Sequence, residues 1–167
     1  TEGMVYFDTT TKQLLTYANG KWQADRTAVT KIVAASNSTQ AAKDAADYVA
    51  NGDTASAGDG DQVEINAALT AAGTGKVYLM EGTYTIDAAI SFTGAATNRT
   101  LAGAGKGSII QLADLDADIN MFSVASSRSV IRDLYLDGRS DLNTAGVQIG
   151  VSSTTTDLSI ENNYFTR

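Results

Sequence analysis

Any chemistry in this sequence must come from carboxylates, basic side chains and tyrosines, because its 167 residues include no histidine and no cysteine. The missing histidine removes the commonest general base and the commonest metal ligand. The missing cysteine removes a disulfide frame and any thiolate metal site. "LAGAGKGS" (101–108) has the composition of a phosphate cradle. A nucleotide loop, however, needs Gly, four residues, then Gly-Lys-Ser/Thr at the mouth of a helix. Here Gly107 follows Lys106, which puts the Ser108 hydroxyl one place late, and the "SIIQL" run is patterned as a strand. Without a helix N-terminus there is no dipole and no row of free N–H groups for an anion. The segment is expected to be a tight turn between two strands. The remaining candidates are Asp133, Asp137, Asp141 and Glu161, with Arg132 and Arg139 among them. A glycosidase needs two carboxyl groups about 5–5.5 Å or about 6.5–9.5 Å apart. Asp133 and Glu161 qualify only if the fold brings them together.

The elements that would position them begin with a small β unit at residues 4–26. "MVYF" and "KQLLTY" are strand-like, "DTTT" is a turn between them, and the Asn-Gly of "ANGK" is a hairpin signal. "KIVAAS" (31–36) reads as a short buried strand. Over 38–52, Ala41, Ala45 and Val49 recur every four residues, which predicts an amphipathic helix with Ser38 as N-cap and Asn51-Gly52 as its stop. Residues 52–60 read as a loop. "DQVEINAALTAAG" (61–73) is the clearest helix. Asp61 and Glu64 form a capping-box pattern, Ile65, Ala68, Leu69 and Ala72 make one apolar face, and Gly73 ends it. Its carboxylates are expected to be caps and solvent-facing charge.

From residue 76 the period changes to short strands separated by polar or glycine-rich turns, and they repeat. Leu101, Ile131 and Ile160 fall 30 and 29 residues apart, and Phe92 and Phe122 are 30 apart. "VIRDLYLDG" lies over "SIENNYFTR", with Tyr135 over Tyr164 and Leu136 over Phe165. A period in this range means stacked units, and two or three short strands per unit make one coil of a parallel β-solenoid. Leu101, Ile131 and Ile160 should then stack inward, and Gly103, Asp133 and Asn162 should share one turn. Asp133 and Glu161 come to neighbouring positions of adjacent coils, as catalytic candidates. A structural role is expected instead: Arg132 paired with Glu161, and Asp133 and Asn162 bonded to turn backbone. Tyr135 and Tyr164 should stack in the same way.

The order of these motifs resembles the pectate-lyase superfamily of right-handed parallel β-helices over about residues 31–167. "DQVEINAALTAAGTGKVYLMEGTYTI" is similar to that family's capping helix and first coil, "TLAGAGKGSIIQL" to its turn and strand, and "SVIRDLYLDG" to one of its coils. The resemblance implies a mainly β fold, a right-handed solenoid with an N-terminal β-hairpin module and one or two capping helices. It divides the chain into a hairpin attachment module (1–27), an entry strand and capping helices (28–75) and the first coils of a β-helix truncated at its C-terminus (76–167). Where a pectate lyase would carry Trp-Ile-Asp-His, this sequence has Ser159, Ile160, Glu161 and Asn162, so that family's site is not carried over. Because β-helix faces of this family serve as carbohydrate platforms, the resemblance makes Tyr135 and Tyr164 a candidate carbohydrate-binding strip. "GMVYFDTTTKQLLTYANGKW" resembles a module of phage virion proteins.

The resemblance thus implies a structural virion protein: the N-terminal mount of a phage tail spike, fibre or similar appendage, leading to a region that binds host polysaccharide. A homo-oligomer, preferentially a trimer, is expected, attached to other virion proteins through residues 1–27. The alternatives are an extracellular polysaccharide lyase or hydrolase whose site lies beyond residue 167, and a bacterial surface adhesin. No cofactor or metal is expected. The net charge of −7 without a basic cluster argues against nucleic acid and against anionic membranes. "ENNYFTR" stops partway through a coil, and either more β-helix or another chain is expected to cover that end.

Overall fold

A computed structural model describes residues 30–52, 58–93, 97–114, 119–139 and 147–166, and the backbone of 5–8, 13–18 and 21–24. Those last three segments are strands β1 (Val5–Asp8), β2 (Gln13–Ala18) and β3 (Lys21–Ala24). They form an antiparallel sheet in the order β1-β2-β3. Ala18 faces Lys21, the register of a two-residue hairpin. The Asn-Gly turn itself and most of "DTTT" lie outside the described residues, as does Asp141.

The entry segment comprises β4 (Thr30–Ala34), α1 (Gln40–Ala45), β5 (Tyr48–Val49) and α2 (Gln62–Ala72). Three strands then make each full coil. They are β6 (Lys76–Leu79), β7 (Gly82–Ile86) and β8 (Ile90–Phe92); β9 (Thr100–Gly103), β10 (Ser108–Leu112) and β11 (Phe122–Val124); and β12 (Val130–Arg132), β13 (Tyr135–Asp137) and β14 (Ile149–Val151). A fourth coil supplies β15 (Ser159–Glu161) and β16 (Tyr164–Thr166). Corresponding strands pair in parallel into three sheets, β15-β12-β9-β6-β4-β5, β16-β13-β10-β7 and β14-β11-β8. This is the expected solenoid, with coils about 4.8 Å apart.

Alternation along each strand sends one set of side chains inward. Val77, Leu101 and Ile131 stack in register in one sheet, and Tyr84, Ile110 and Leu136 in the next, all fully buried. Ile160 and Phe165 continue both stacks, but they are 42% and 57% exposed, lying on the last coil described. Phe92 and Phe122 do not stack. Phe92 faces Val124, and Phe122 faces Ile90. The spacing of 30 that aligns the first sheet is offset by two residues in this one, because the turns between sheets differ in length.

The helix α2 covers the first coil with Ile65, Ala68, Leu69 and Ala72, all buried. Arg99 Nε donates to the Gly73 carbonyl at its C-terminal end (3.1 Å). The predicted helix over 38–52 is cut short. Its capping residue is Thr39, whose hydroxyl accepts from Ala42 N–H, and it ends at Ala45 with no buried residue. Beyond it the backbone joins the edge of β4: Asp47 N–H and Ala50 N–H donate to the Ile32 and Ala34 carbonyls (2.9 and 2.8 Å). An open strand edge offers a row of unpaired groups, and Tyr48 and Val49 suit a strand. Those bonds outweigh the helix preference of the alanines. Ser38 is turned inward, accepting from Ala35 N–H and donating to the Glu81 carbonyl.

The capping box of α2 also fails. Asp61 makes no cap hydrogen bond. It is fully buried, and its carboxylate accepts from Gly52 N–H (2.7 Å) and Thr85 N–H (2.8 Å). It therefore ties the loop before α2 to β7 and is not a solvent-facing charge.

Candidate functional site

The outward face of β10, β13 and β16 carries the candidate strip. Alternation leaves Thr83, Ile109, Tyr135 and Tyr164 in one ladder across the sheet, and Thr85, Gln111, Asp137 and Thr166 in the next. Tyr135 and Tyr164 are thus neighbours on adjacent strands, as the repeat predicts. Tyr164 is 47% exposed and Tyr135 half-buried. The polar ladder is stiffened by a Gln111–Thr85 side-chain hydrogen bond (2.8 Å). Asp137 accepts from Arg139 N–H (2.9 Å).

Lys106 joins this face from two coils earlier. It sits in the short 3₁₀ turn Gly105–Gly107 between β9 and β10, the tight turn expected between two strands. Gly105 N–H donates to the Asp133 carbonyl (2.8 Å), which pins the turn to the third coil. From there Lys106 Nζ lies 4.6 Å from the centroid of the Tyr164 ring, within cation–π range. The local sequence offers Lys106 only as a phosphate ligand. Its link to Tyr164 spans 58 residues in the chain and follows only from the stacking of coils.

Asp133 and Glu161 reach the same corner. Arg132 is the register partner of Glu161, and Asp133 N–H donates to the Glu161 carbonyl (3.2 Å). The ion pair differs from the expectation: Arg132 lies 3.6 Å from Asp133, while Glu161 accepts from the Ser159 hydroxyl. The local pair wins because Asp133 adopts a left-handed backbone (φ 57°). Asn162 has the same conformation (φ 51°), so these two do share a turn. Gly103 occupies the matching place without a left-handed φ. It is needed for closeness, since a Cβ there would lie 2.6 Å from Leu134 Cδ2 and 2.7 Å from Ser108 Cβ. The bonds to turn backbone come from Asn163 and not Asn162: its side chain accepts from Leu134 N–H and donates to the Ile131 carbonyl. Among the described residues, no three acidic side chains gather as a metal site would require.

What this geometry can do is present flat aromatic surface beside a cation and hydrogen-bonding groups on a rigid, repeating face. No family model and no curated protein matches the chain. Among solved structures it is similar to the A-module of the Azotobacter vinelandii mannuronan C-5 epimerase AlgE6, at 29% identity and a TM-score of 0.50 over 68% of this chain. The corresponding AlgE4 module is similar at 30% identity and a TM-score of 0.50 over the same share. The chain spans 35% of the length of each. Together with the parallel register of its coils, this likeness identifies the architecture as a right-handed parallel β-helix of the pectate-lyase-like kind.

Proposed function

We propose that this chain is the N-terminal part of a phage tail spike, fibre or similar appendage, and that its β-helix presents a polysaccharide-binding face. The observation that carries the glycan reading is the Tyr135–Tyr164 pair with Lys106 over the outer ring. Aromatic rings offer the apolar face that a pyranose ring stacks on, and neighbouring polar groups fix its orientation. The likeness to polysaccharide epimerases supports the same class of ligand. The virion reading is supported by the order of elements: a three-stranded antiparallel unit, then capping helices, then coils.

Titration of the protein with mannuronan and with capsular polysaccharides, followed by calorimetry, tests the glycan reading. Tyr164→Ala is expected to weaken binding by about tenfold, or about 1.4 kcal/mol. Binding unchanged by that substitution, or none by the parent chain, would overturn it. Sedimentation equilibrium tests the assembly, for which a trimer is expected.

A second reading is an extracellular polysaccharide-modifying enzyme, favoured by the same epimerase likeness. Turnover of mannuronan by the protein, followed by NMR, would support it. Loss of turnover in Asp133→Asn or Glu161→Gln would then place the chemistry at their corner.

A further inference from the structure

A pocket of about 270 Å³ opens at the corner between β6 and β7, lined by Thr39, Ala42, Tyr78, Met80, Glu81 and Ala104. It shares no residue with the Tyr135–Tyr164 face and lies on the first coil, under the start of α1. Its size falls just below the roughly 300–1,000 Å³ of a drug-sized site, which suits one small unit and not a long stretch of polymer.

Its lining is chemically one-sided. Ala42, Met80 and Ala104 are apolar, Thr39 brings a hydroxyl, and Tyr78 brings a half-buried aromatic ring. Tyr78 stands between Ile32 on β4 and Ala102 on β9, and only the alanine side has a small neighbour. Glu81 is the one charged residue of the lining. Lys76 Nζ lies 5.1 Å from the ring centroid, so the ammonium of a ligand must sit on the Glu81 side.

The Glu81 backbone is held in place, while its side chain is exposed. The Glu81 carbonyl accepts the Ser38 hydroxyl (2.6 Å). Its side chain lies flat on Gly107, where a Cβ would come within 2.9 Å of Glu81 Cγ and 3.3 Å of Oε1. An accessible carboxylate beside an aromatic face is complementary to a positively charged group on a flat, hydroxylated ring.

We propose that this pocket binds a single amine-bearing sugar unit, its ring against Tyr78 and its ammonium on Glu81. The site is independent of the Tyr135–Tyr164 face. The flat ring and the Thr39 hydroxyl favour a sugar over the thin alkyl chain of a lysine.

The test is amide chemical-shift titration of the full chain at mildly acidic pH with D-glucosamine, N-acetylglucosamine, glucose and Nα-acetyl-lysine amide. Glucosamine is expected to move the amides of Thr39, Ala42, Glu81 and Ala104, and to bind at least about tenfold more tightly than the other three. Glu81→Gln should remove at least about tenfold of that affinity. Gly107→Ala, which keeps the carboxylate but displaces it, should also weaken binding while the amide spectrum remains that of a folded chain. The amides of Tyr135 and Tyr164 should not move in step with these four, which separates this site from the tyrosine face. Three outcomes would each overturn the proposal: no shift at these amides, undiminished binding in Glu81→Gln, or lysine amide binding as tightly as glucosamine.

Discussion

Two acids three residues apart in the sequence meet opposite fates at the start of α2. Asp61 is buried with two backbone donors, Gly52 N–H and Thr85 N–H. Asp61→Ala would leave both donors unpaired, at about 1–3 kcal/mol each, so a loss of about 2–6 kcal/mol is expected in urea unfolding. Glu64 is half-buried, and its Oε2 is enclosed without a hydrogen-bond partner. Burial first, and the nearby Asp61 charge second, hold its carboxyl above the ordinary value of 4.5. A raised carboxyl favours folding while protonated. Its contribution is complete below the ordinary value and is lost as pH rises through the raised one. Glu64→Gln, which cannot ionise, is therefore expected to be more stable than the parent at neutral pH, by about 0.5 kcal/mol or less. The two should converge on acidification, and unfolding curves at either end of that range check it. The sequence shows that these acids begin a helix. It does not show their partners, because the donors to Asp61 lie 9 and 24 residues away and are brought near only by the coil.

At the scale of elements, the corners decide what the strands present. Asp133 and Asn162 turn the chain with left-handed backbones, which asparagine and aspartate tolerate and β-branched residues do not. Asp133→Asn is expected to stay within about 0.5 kcal/mol of the parent. Asp133→Val should lose about 1–2 kcal/mol, measured by thermal unfolding. The pair also separates roles, because Asp133→Asn removes any carboxyl chemistry while leaving the turn intact. This corner was legible from "VIRD" over "SIEN", since like residues stack at a fixed period. The sequence did not reveal that Lys106 reaches Tyr164 or that Glu81 lies on Gly107. Both depend on how far a side chain extends along the solenoid axis, which no local pattern encodes. The short α1 is the converse case. Ala41, Ala45 and Val49 have helical spacing, but the unpaired edge of β4 recruits Tyr48 and Val49 into a strand.

For the whole molecule, stability should be graded along the solenoid, because each coil touches only its neighbours. Ile131 lies between Leu101 and Ile160 and is fully buried. Ile160 has Ile131 on one side and is 42% exposed. Ile131→Ala therefore removes packing on two sides and is expected to cost about 2–5 kcal/mol. Ile160→Ala removes it on one side and should cost about 1 kcal/mol. The same gradient governs opening. Amides of β9, β10, β12 and β13 are bracketed by coils and should exchange only on global unfolding, while those of β15 and β16 should exchange by local fraying. Hydrogen exchange across dilutions distinguishes two origins of any departure. If β15 and β16 are as protected as β12 and their protection falls on dilution, the apolar face of Val151, Ile160 and Phe165 is covered by a second copy. If protection is equal and independent of concentration, the coils unfold as one unit, and the nearest-neighbour account of this solenoid fails.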